Sequence, residues 1–341
     1  MKKLIVLLFL VISSFANAQD IHFSQTYAAP LYSNPATTGF FNGNYRFTAI
    51  YRNQWASVTI PYSTISSSID FNFTKNKTDL LGVGFLLFSD GAGDSRFVTN
   101  MFAMSLAYAK SLDRDKKAYL NFGLQAGYTH SSIDFQHLDF PEEYLNGKLT
   151  ETFPRTSYGY FDTNLGVEGY YLPSKDLSFQ AGFSGFHLNK PILTFVNDPT
   201  AIIPIKYIAN IGASIPINDI VMYPKVIYSK QWPHQEWVFG SLFRISSEKS
   251  NDVTKTFYVG LMDRWAPAPR DTANNVIGSG NDAIIIVTKM VINQWSFHFS
   301  YDINTSSLKK ASNGFGGPEI AVQYIGKFKH TKPHKIYCPT L

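Results

Sequence analysis

Cysteine is nearly absent from this chain, and charge is scarce. Cys338 is the one cysteine in 341 residues, so no intrachain disulfide can form. Only 16% of the residues are charged, where a soluble globular protein usually carries about a quarter. Beyond residue 18 no stretch offers the roughly 20 apolar residues of a spanning helix. Heptads are missing as well, which excludes a coiled coil along with a helical membrane protein. No zinc or haem spacing appears, because the eight histidines are scattered. Asp90-Gly91-Ala92-Gly93-Asp94 has no ligand ladder or terminal Glu and reads as a glycine-bent turn rather than a calcium loop. The formal charge of +5 is also misleading. Lys2 and Lys3 lie in a leader and Lys327, Lys329, Lys332 and Lys335 in a tail without acids, leaving 24 basic and 25 acidic residues over 19–326. Such a balance gives no footprint for nucleic acid.

What the chain does have is aromatic and apolar residue, dispersed. It is 45% hydrophobic and 16% aromatic, with 28 Phe and 20 Tyr, which excludes disorder. Residues 1–18 read as a cleaved export signal: Lys2 and Lys3, an apolar run from Leu4 to Ile12, and Ala16-Asn17-Ala18 as the small-x-small site. After residue 18 the dominant signal is period two. Trp295, Phe297, Phe299 and Tyr301 share one face, and Ser296, His298, Ser300 and Asp302 the other. Residues 118–131, 160–171 and 206–214 alternate in the same way.

Fourteen such strands fit between residues 44 and 328, most of them 10–16 residues long, against a mode of about 5–6 in globular sheets. The connections alternate between short polar turns and longer loops, the longest being 135–157, 189–204 and 267–280. Tyr and Trp gather near strand ends, as interfacial girdles do. These features predict an all-β fold, a transmembrane antiparallel up-and-down barrel with short periplasmic turns and long extracellular loops. Outer-membrane lipid is then the first partner, and the location is the outer membrane of a Gram-negative bacterium. Residues 19–43 are too polar and turn-rich to span. Their Ile21, Phe23, Tyr27, Leu31, Tyr32, Phe40 and Phe41 need a dry place, which predicts a periplasmic segment plugging the lumen from that mouth. Residues 44–328 form the barrel and 329–341 a basic periplasmic tail.

The opening of the exported chain carries a resemblance. Phe23-Ser24-Gln25, then Asn34-Pro35 with Gly39, then Arg52 with Trp55, are joined by Asp70, Gly82-Val83-Gly84, Asp302, Glu319 and Cys338-Pro339. Together they resemble the PorP/SprF family of Bacteroidetes outer-membrane proteins. The resemblance implies a partner of the type IX secretion and gliding machinery that secretes or holds a surface adhesin through the adhesin's C-terminal domain. It also implies other machinery components as partners, a periplasmic peptidoglycan-linked protein among them. No catalytic set emerges from the residues themselves. His298, Ser300 and Asp302 read as a polar lumenal row, as do Asp162 and Glu168, and neither a cofactor site nor a metal site is assigned. Three classes stay open: a secretion or anchoring barrel, a solute or lipid channel, and a barrel enzyme acting on envelope lipids. For the first, the candidate contacts are loop aromatics, Phe140, Tyr144, Phe153 and Phe195.

Overall fold

The computed structural model describes residues 20–57, 60–75, 78–93, 96–134, 155–196, 198–250, 253–267, 280–306 and 309–329. Strands β1 (Tyr45–Gln54), β2 (Tyr62–Lys75), β3 (Asp79–Ala92), β4 (Phe97–Ser111) and β5 (Ala118–Ser132) follow one another as hairpins. The series continues through β6 (Ser157–Tyr171), β7 (Ser178–Phe186), β8 (Lys206–Ile217), β9 (Ile220–Gln231) and β10 (His234–Ser250). It ends with β11 (Val253–Trp265), β12 (Asn281–Ile292), β13 (Trp295–Asn304) and β14 (Phe315–Gly326). Each strand pairs antiparallel with its sequence neighbours, and β1 pairs with β14, so the sheet closes into a barrel without an edge. Closure gives every strand a neighbour on both sides, as strands in lipid require, although the shorter β7 pairs with β6 only over Leu165–Tyr171.

The two faces separate as period two requires. Phe122, Leu124 and Tyr128 on β5 are exposed outward, while Asn121, Gln125 and Thr129 are buried inside. On β13 the outward row is Trp295, Phe297 and Phe299, and the inward row is Ser296, His298, Ser300 and Asp302. Aromatic groups mark both ends of the wall. Trp295 packs on Tyr324 at 4.7 Å and Tyr45 on Phe328 at 5.6 Å at the end carrying the short turns, with Tyr228 on Trp237 at 4.5 Å at the long-loop end. Three tyrosines near strand ends, Tyr158, Tyr160 and Tyr170, face inward instead of joining these girdles. Tyr158 meets Phe195, and Tyr170 stacks on Phe40 at 4.2 Å, because each is one residue out of phase with its outward neighbour. β10 also runs through a serine-rich stretch as far as Ser250. A bulge between Arg244 and Ser246 keeps pairing intact to Ser250, so a serine-rich run that reads as a turn becomes strand.

Residues 20–44 lie inside the barrel. Pro30 starts one helical turn, Pro30–Ser33, and Pro35 starts a 3-10 turn, Pro35–Thr37, each proline standing where no N–H is needed. Asn34 caps the second turn, its Oδ1 accepting the Ala36 N–H at 2.9 Å. The segment does not stop at the short-turn mouth. From Asn44, whose N–H donates to the Gly326 carbonyl there, it crosses the lumen to Asp20, which meets Gln231 and His187 at the long-loop end.

Candidate functional site

Four ties hold this internal segment, and most of the residues that carry the family resemblance lie in them. The first is at the short-turn end. Arg46 grips Asp70 with two parallel bonds, Nε to Oδ1 at 3.0 Å and Nη2 to Oδ2 at 2.7 Å. Asp70 Oδ2 also accepts the Gly39 N–H at 2.8 Å, and the Arg46 guanidinium lies over the Phe41 ring. Gly39 has φ +73° and its Cα abuts that of Gly82. A Cβ on Gly82 would overlap the Thr38 carbonyl, and one on Gly84 would crowd Leu31 at 2.7 Å. Backbone meets backbone here only because both residues are glycine.

The second tie is central. Asn34 Nδ2 donates to Glu168 Oε2 at 2.8 Å and to the Val167 carbonyl at 3.1 Å, and Asn210 donates to the same Glu168 oxygen at 3.1 Å. Pro35 rests on Gly123, where a Cβ would overlap its carbonyl. Lumenal amides serve the segment's backbone: Gln125 donates to the Leu31 carbonyl at 3.1 Å, and Asn121 to that of Ala36 at 3.3 Å.

The third tie is ionic and buried. Arg52 Nη1 pairs with Glu319 Oε2 at 2.9 Å and Arg52 Nη2 with Asp302 Oδ2 at 2.9 Å. Arg264 reaches the same Asp302 oxygen at 2.9 Å and Asp282 at 2.6 Å. Into this cluster the segment inserts Ser24 and Gln25. Their N–H groups donate to the two Glu319 oxygens, each at 2.9 Å, and Ser24 Oγ donates to Asp302 at 2.8 Å. Arg52 Nη1 also contacts Ser24 Oγ. Gln25 Nε2 donates to Ser300 Oγ at 3.0 Å, and Phe23 packs edge-on against Tyr32 and Phe88.

The fourth tie closes the long-loop end. Asp20 Oδ2 lies 2.8 Å from His187 Nε2 and 3.6 Å from Lys206, and Asp162 lies 3.0 Å from His187 Nδ1. Burial works to raise the Asp20 carboxyl, but Lys206 and His187 outweigh it and hold the group well below the usual carboxylate range. Burial likewise works against His187 protonation. Asp20 and Asp162 overcome it and push the imidazole up to about 9.

Two cavities lie beside the segment among the described residues. One of about 630 Å³ runs along β8–β12 and reaches Asn293 and Lys327 at the short-turn end. The other, about 290 Å³, lies at the long-loop end among Trp55, Gln235 and Asp282. Both touch His22 and Glu236, whose side chains stand 3.6 Å apart between them.

The site residues expected from sequence fall as follows. Phe23, Ser24, Gln25, Asn34, Pro35, Gly39, Arg52, Asp70, Gly82, Gly84, Asp302 and Glu319 come together along the segment and the wall it touches. Trp55 does not; it sits just past β1 with φ 66° and lines the smaller cavity. Phe195 packs edge-on against Tyr158 at 4.6 Å on the rim of its own barrel. Phe140, Tyr144, Phe153, Cys338, Pro339 and the leader lie outside the described residues. In the lumenal row, Ser300 is held by Gln25 and Asp302 by two arginines, while His298 is buried beside Tyr27. Sequence reasoning missed Arg46, Arg264, Asp20 and His187. The available signal was an arginine at an inward position of a two-faced strand, which needs a carboxylate partner.

The family model for type IX secretion system membrane protein PorP/SprF matches residues 15–324. No curated protein sequence matches. Among solved structures the fold is similar to the TodX monoaromatic hydrocarbon channel deltaS2 mutant, at 8% identity and TM-score 0.51, over 88% of this chain and 94% of that one. The Pseudomonas putida toluene transporter TodX gives 10% identity and TM-score 0.47, over 88% and 93%. BamA from Haemophilus ducreyi lacking POTRA domains 1–3 gives 12% and 0.40, over 83% and 70%. At such identities the likeness concerns fold alone.

Two outcomes are expected of these ties. Arg52→Met leaves Asp302 and Glu319 short of a buried cation and destabilises the barrel by about 3–5 kcal/mol. Arg52→Lys recovers only part, since an ammonium cannot fork onto both carboxylates; urea unfolding in detergent micelles reads both. The His187 tie has its own pH window. A raised imidazole stabilises fully below its unfolded value of about 6.5 and loses that contribution as pH climbs through about 9. The depressed Asp20 carboxyl stabilises above its ordinary value of 3.8 and fails only in strong acid. A spin label on Ile21→Cys in a Cys338→Ser background should therefore gain mobility between pH 8 and 10. With His187→Gln that transition should vanish.

Proposed function

The chain belongs to the PorP/SprF family of type IX secretion system membrane proteins, and from that premise we propose a non-enzymatic outer-membrane barrel that binds or anchors a secreted surface adhesin. One observation carries the reading. All the site residues of the resemblance in the described structure except Trp55 hold residues 20–44 inside the barrel or belong to that segment, rather than forming a reacting constellation or lining an open pore. In this reading the segment closes the lumen to polypeptide. A client is then engaged at the ends of the barrel, not conducted through it. Long loops face outward from the cell and short turns and the basic tail face the periplasm, where machinery components and a peptidoglycan-linked protein are met.

The loop between β7 and β8 supports an end-on contact. Ile192, Leu193, Val196 and Ile202 are all exposed there, beside the rim-packed Phe195. Exposed apolar residues grouped on one loop suit a protein partner. The alternative, a solute or lipid channel, draws on the cavity left beside the segment.

Two measurements test the proposal. Deleting the gene should remove one large adhesin from the cell surface while nutrient uptake stays normal; an unchanged set of surface proteins overturns adhesin anchoring. In planar bilayers the intact barrel should conduct little, and removal of residues 20–43 should raise conductance to that of an open 14-strand pore. Equal conductance before and after removal overturns lumenal closure.

A further inference from the structure

We infer that the larger lumenal cavity is a binding site for an anionic amphiphile, one alkyl or acyl chain ending in a carboxylate or phosphate. Nothing in the partner reading above requires it. The cavity of about 630 Å³ lies between the internal segment and the wall of β8–β12, within the roughly 300–1,000 Å³ usual for small-molecule sites. That wall differs from the rest of the lumen. Ile208, Ile227, Val238, Tyr258 and Val291 point inward here, and Phe23, Tyr27 and Phe40 face them from the segment. An apolar surface of this extent, left open inside a barrel, favours an apolar occupant.

The charges around it are mainly of one sign. Seven Lys or Arg line the cavity against two carboxylates, Glu168 and Glu236. Both acids are engaged, Glu168 by Asn34 and Asn210, Glu236 by His22 at 3.6 Å and Arg264 at 3.9 Å. Of the cations, Arg46, Lys206 and Arg244 are paired with Asp70, Asp20 and Asp176, which do not line the cavity, while Lys175, Lys225, Lys289 and Lys327 add to the basic lining. Toward the short-turn end the basic groups gather. Arg244, Tyr258 and Lys289 are register neighbours across β10, β11 and β12, with the Lys289 ammonium 5.1 Å from the Tyr258 ring centroid. Lys225 lines the same cavity from β9. The result is an apolar slot with a cationic collar, and its far end is closed by His22 and Glu236.

The choice of an alkyl chain over a peptide follows from hydrogen bonding. Every strand of the closed sheet is paired on both sides, so the wall offers no ladder groups to an added backbone. A peptide in the apolar stretch would strand its N–H and C=O groups, each a substantial penalty. A hydrocarbon chain has none to strand.

The test uses the full exported chain in nanodiscs, titrated by calorimetry with empty nanodiscs subtracted. Decanoate and decyl phosphate should each saturate near one per barrel, whereas decyltrimethylammonium, acetate and inorganic phosphate should not. Lys225→Met combined with Lys289→Met should weaken decanoate at least about tenfold, the loss expected when charge-assisted contacts to a carboxylate are removed. Val238→Trp should abolish binding by filling the slot while leaving every cation in place, so the site stays testable if the lysine variants misfold. Heat-modifiable migration on gels verifies folding of each variant. Equal uptake of decanoate and decyltrimethylammonium overturns the inference. So does inorganic phosphate binding as tightly as decyl phosphate, which makes the site one for free anions, or an acidic apolar peptide that binds where decanoate does not. Unchanged decanoate affinity in Val238→Trp overturns it as well.

Discussion

Two carboxylates on adjacent strands, Asp302 and Glu319, face one another's neighbourhood deep in the lumen, and the arrangement of everything inside the barrel answers to them. Alone they would repel in a water-poor interior. Arg52 forks between them, Arg264 takes Asp302 from the other side, and the Ser24 and Gln25 N–H groups complete Glu319. A buried ion cluster of this kind contributes little net stability, because desolvation consumes most of the attraction. Its effect is to fix one arrangement. Only a segment entering with those two amides at that height can satisfy Glu319, so the wall specifies the register of the segment.

A closed barrel forces the same logic elsewhere. The strands use their own backbone groups in the ladder, so an internal segment must find partners among side chains. Gln125, Asn121 and Asn72 supply them to the Leu31, Ala36 and Gly43 carbonyls, and Asp70 supplies one to the Gly39 amide. Glycines at inward positions let the segment approach that half of the wall, as at Gly82 and Gly123. The opposite half, β8–β12, carries Val, Ile, Tyr and Lys inward, and there the segment stands off and leaves the larger cavity. The lumen is therefore two-sided. One side grips the segment with polar groups and the other presents an apolar, basic wall.

Much of the barrel was legible in the sequence because period two is a local property. The rows on β5 and β13 separate by simple alternation, and the even strand count and the alternating connection lengths follow from spacing. Cross-barrel partners are not local. That Arg46 meets Asp70 follows from β1–β2 register, and Arg264 meeting Asp302 depends on curvature over three strands. The direction of residues 20–44 was equally hidden. Their composition asks for burial but does not say how far the segment climbs, and that is set by where Glu319 and His187 wait. Tyr158 and Tyr170 show the converse, since aromatic identity near a strand end suggested lipid while phase placed both rings inside.

The ionic tie also lies across the closing seam. Arg52 belongs to β1 and Glu319 to β14, paired directly in the register that joins the first strand to the last. Ser24 and Gln25 bind Glu319 at the same level, and Asn44 donates to Gly326 at the seam's other end. The segment therefore touches, near each of its ends, the junction whose formation turns an open sheet into a barrel, and between them it crosses to β3, β5 and β6. It is covalently continuous with β1, so it reaches Glu319 only when β14 arrives beside β1. Closure and seating of the segment are then one event with a shared set of contacts. A barrel closed with the segment outside would leave the Glu319 carboxylate with one fixed cation and no amides, a costly state for a buried acid. Selection against that state needs no extra machinery, because the same residues that would make it costly are the ones that make the seated form whole.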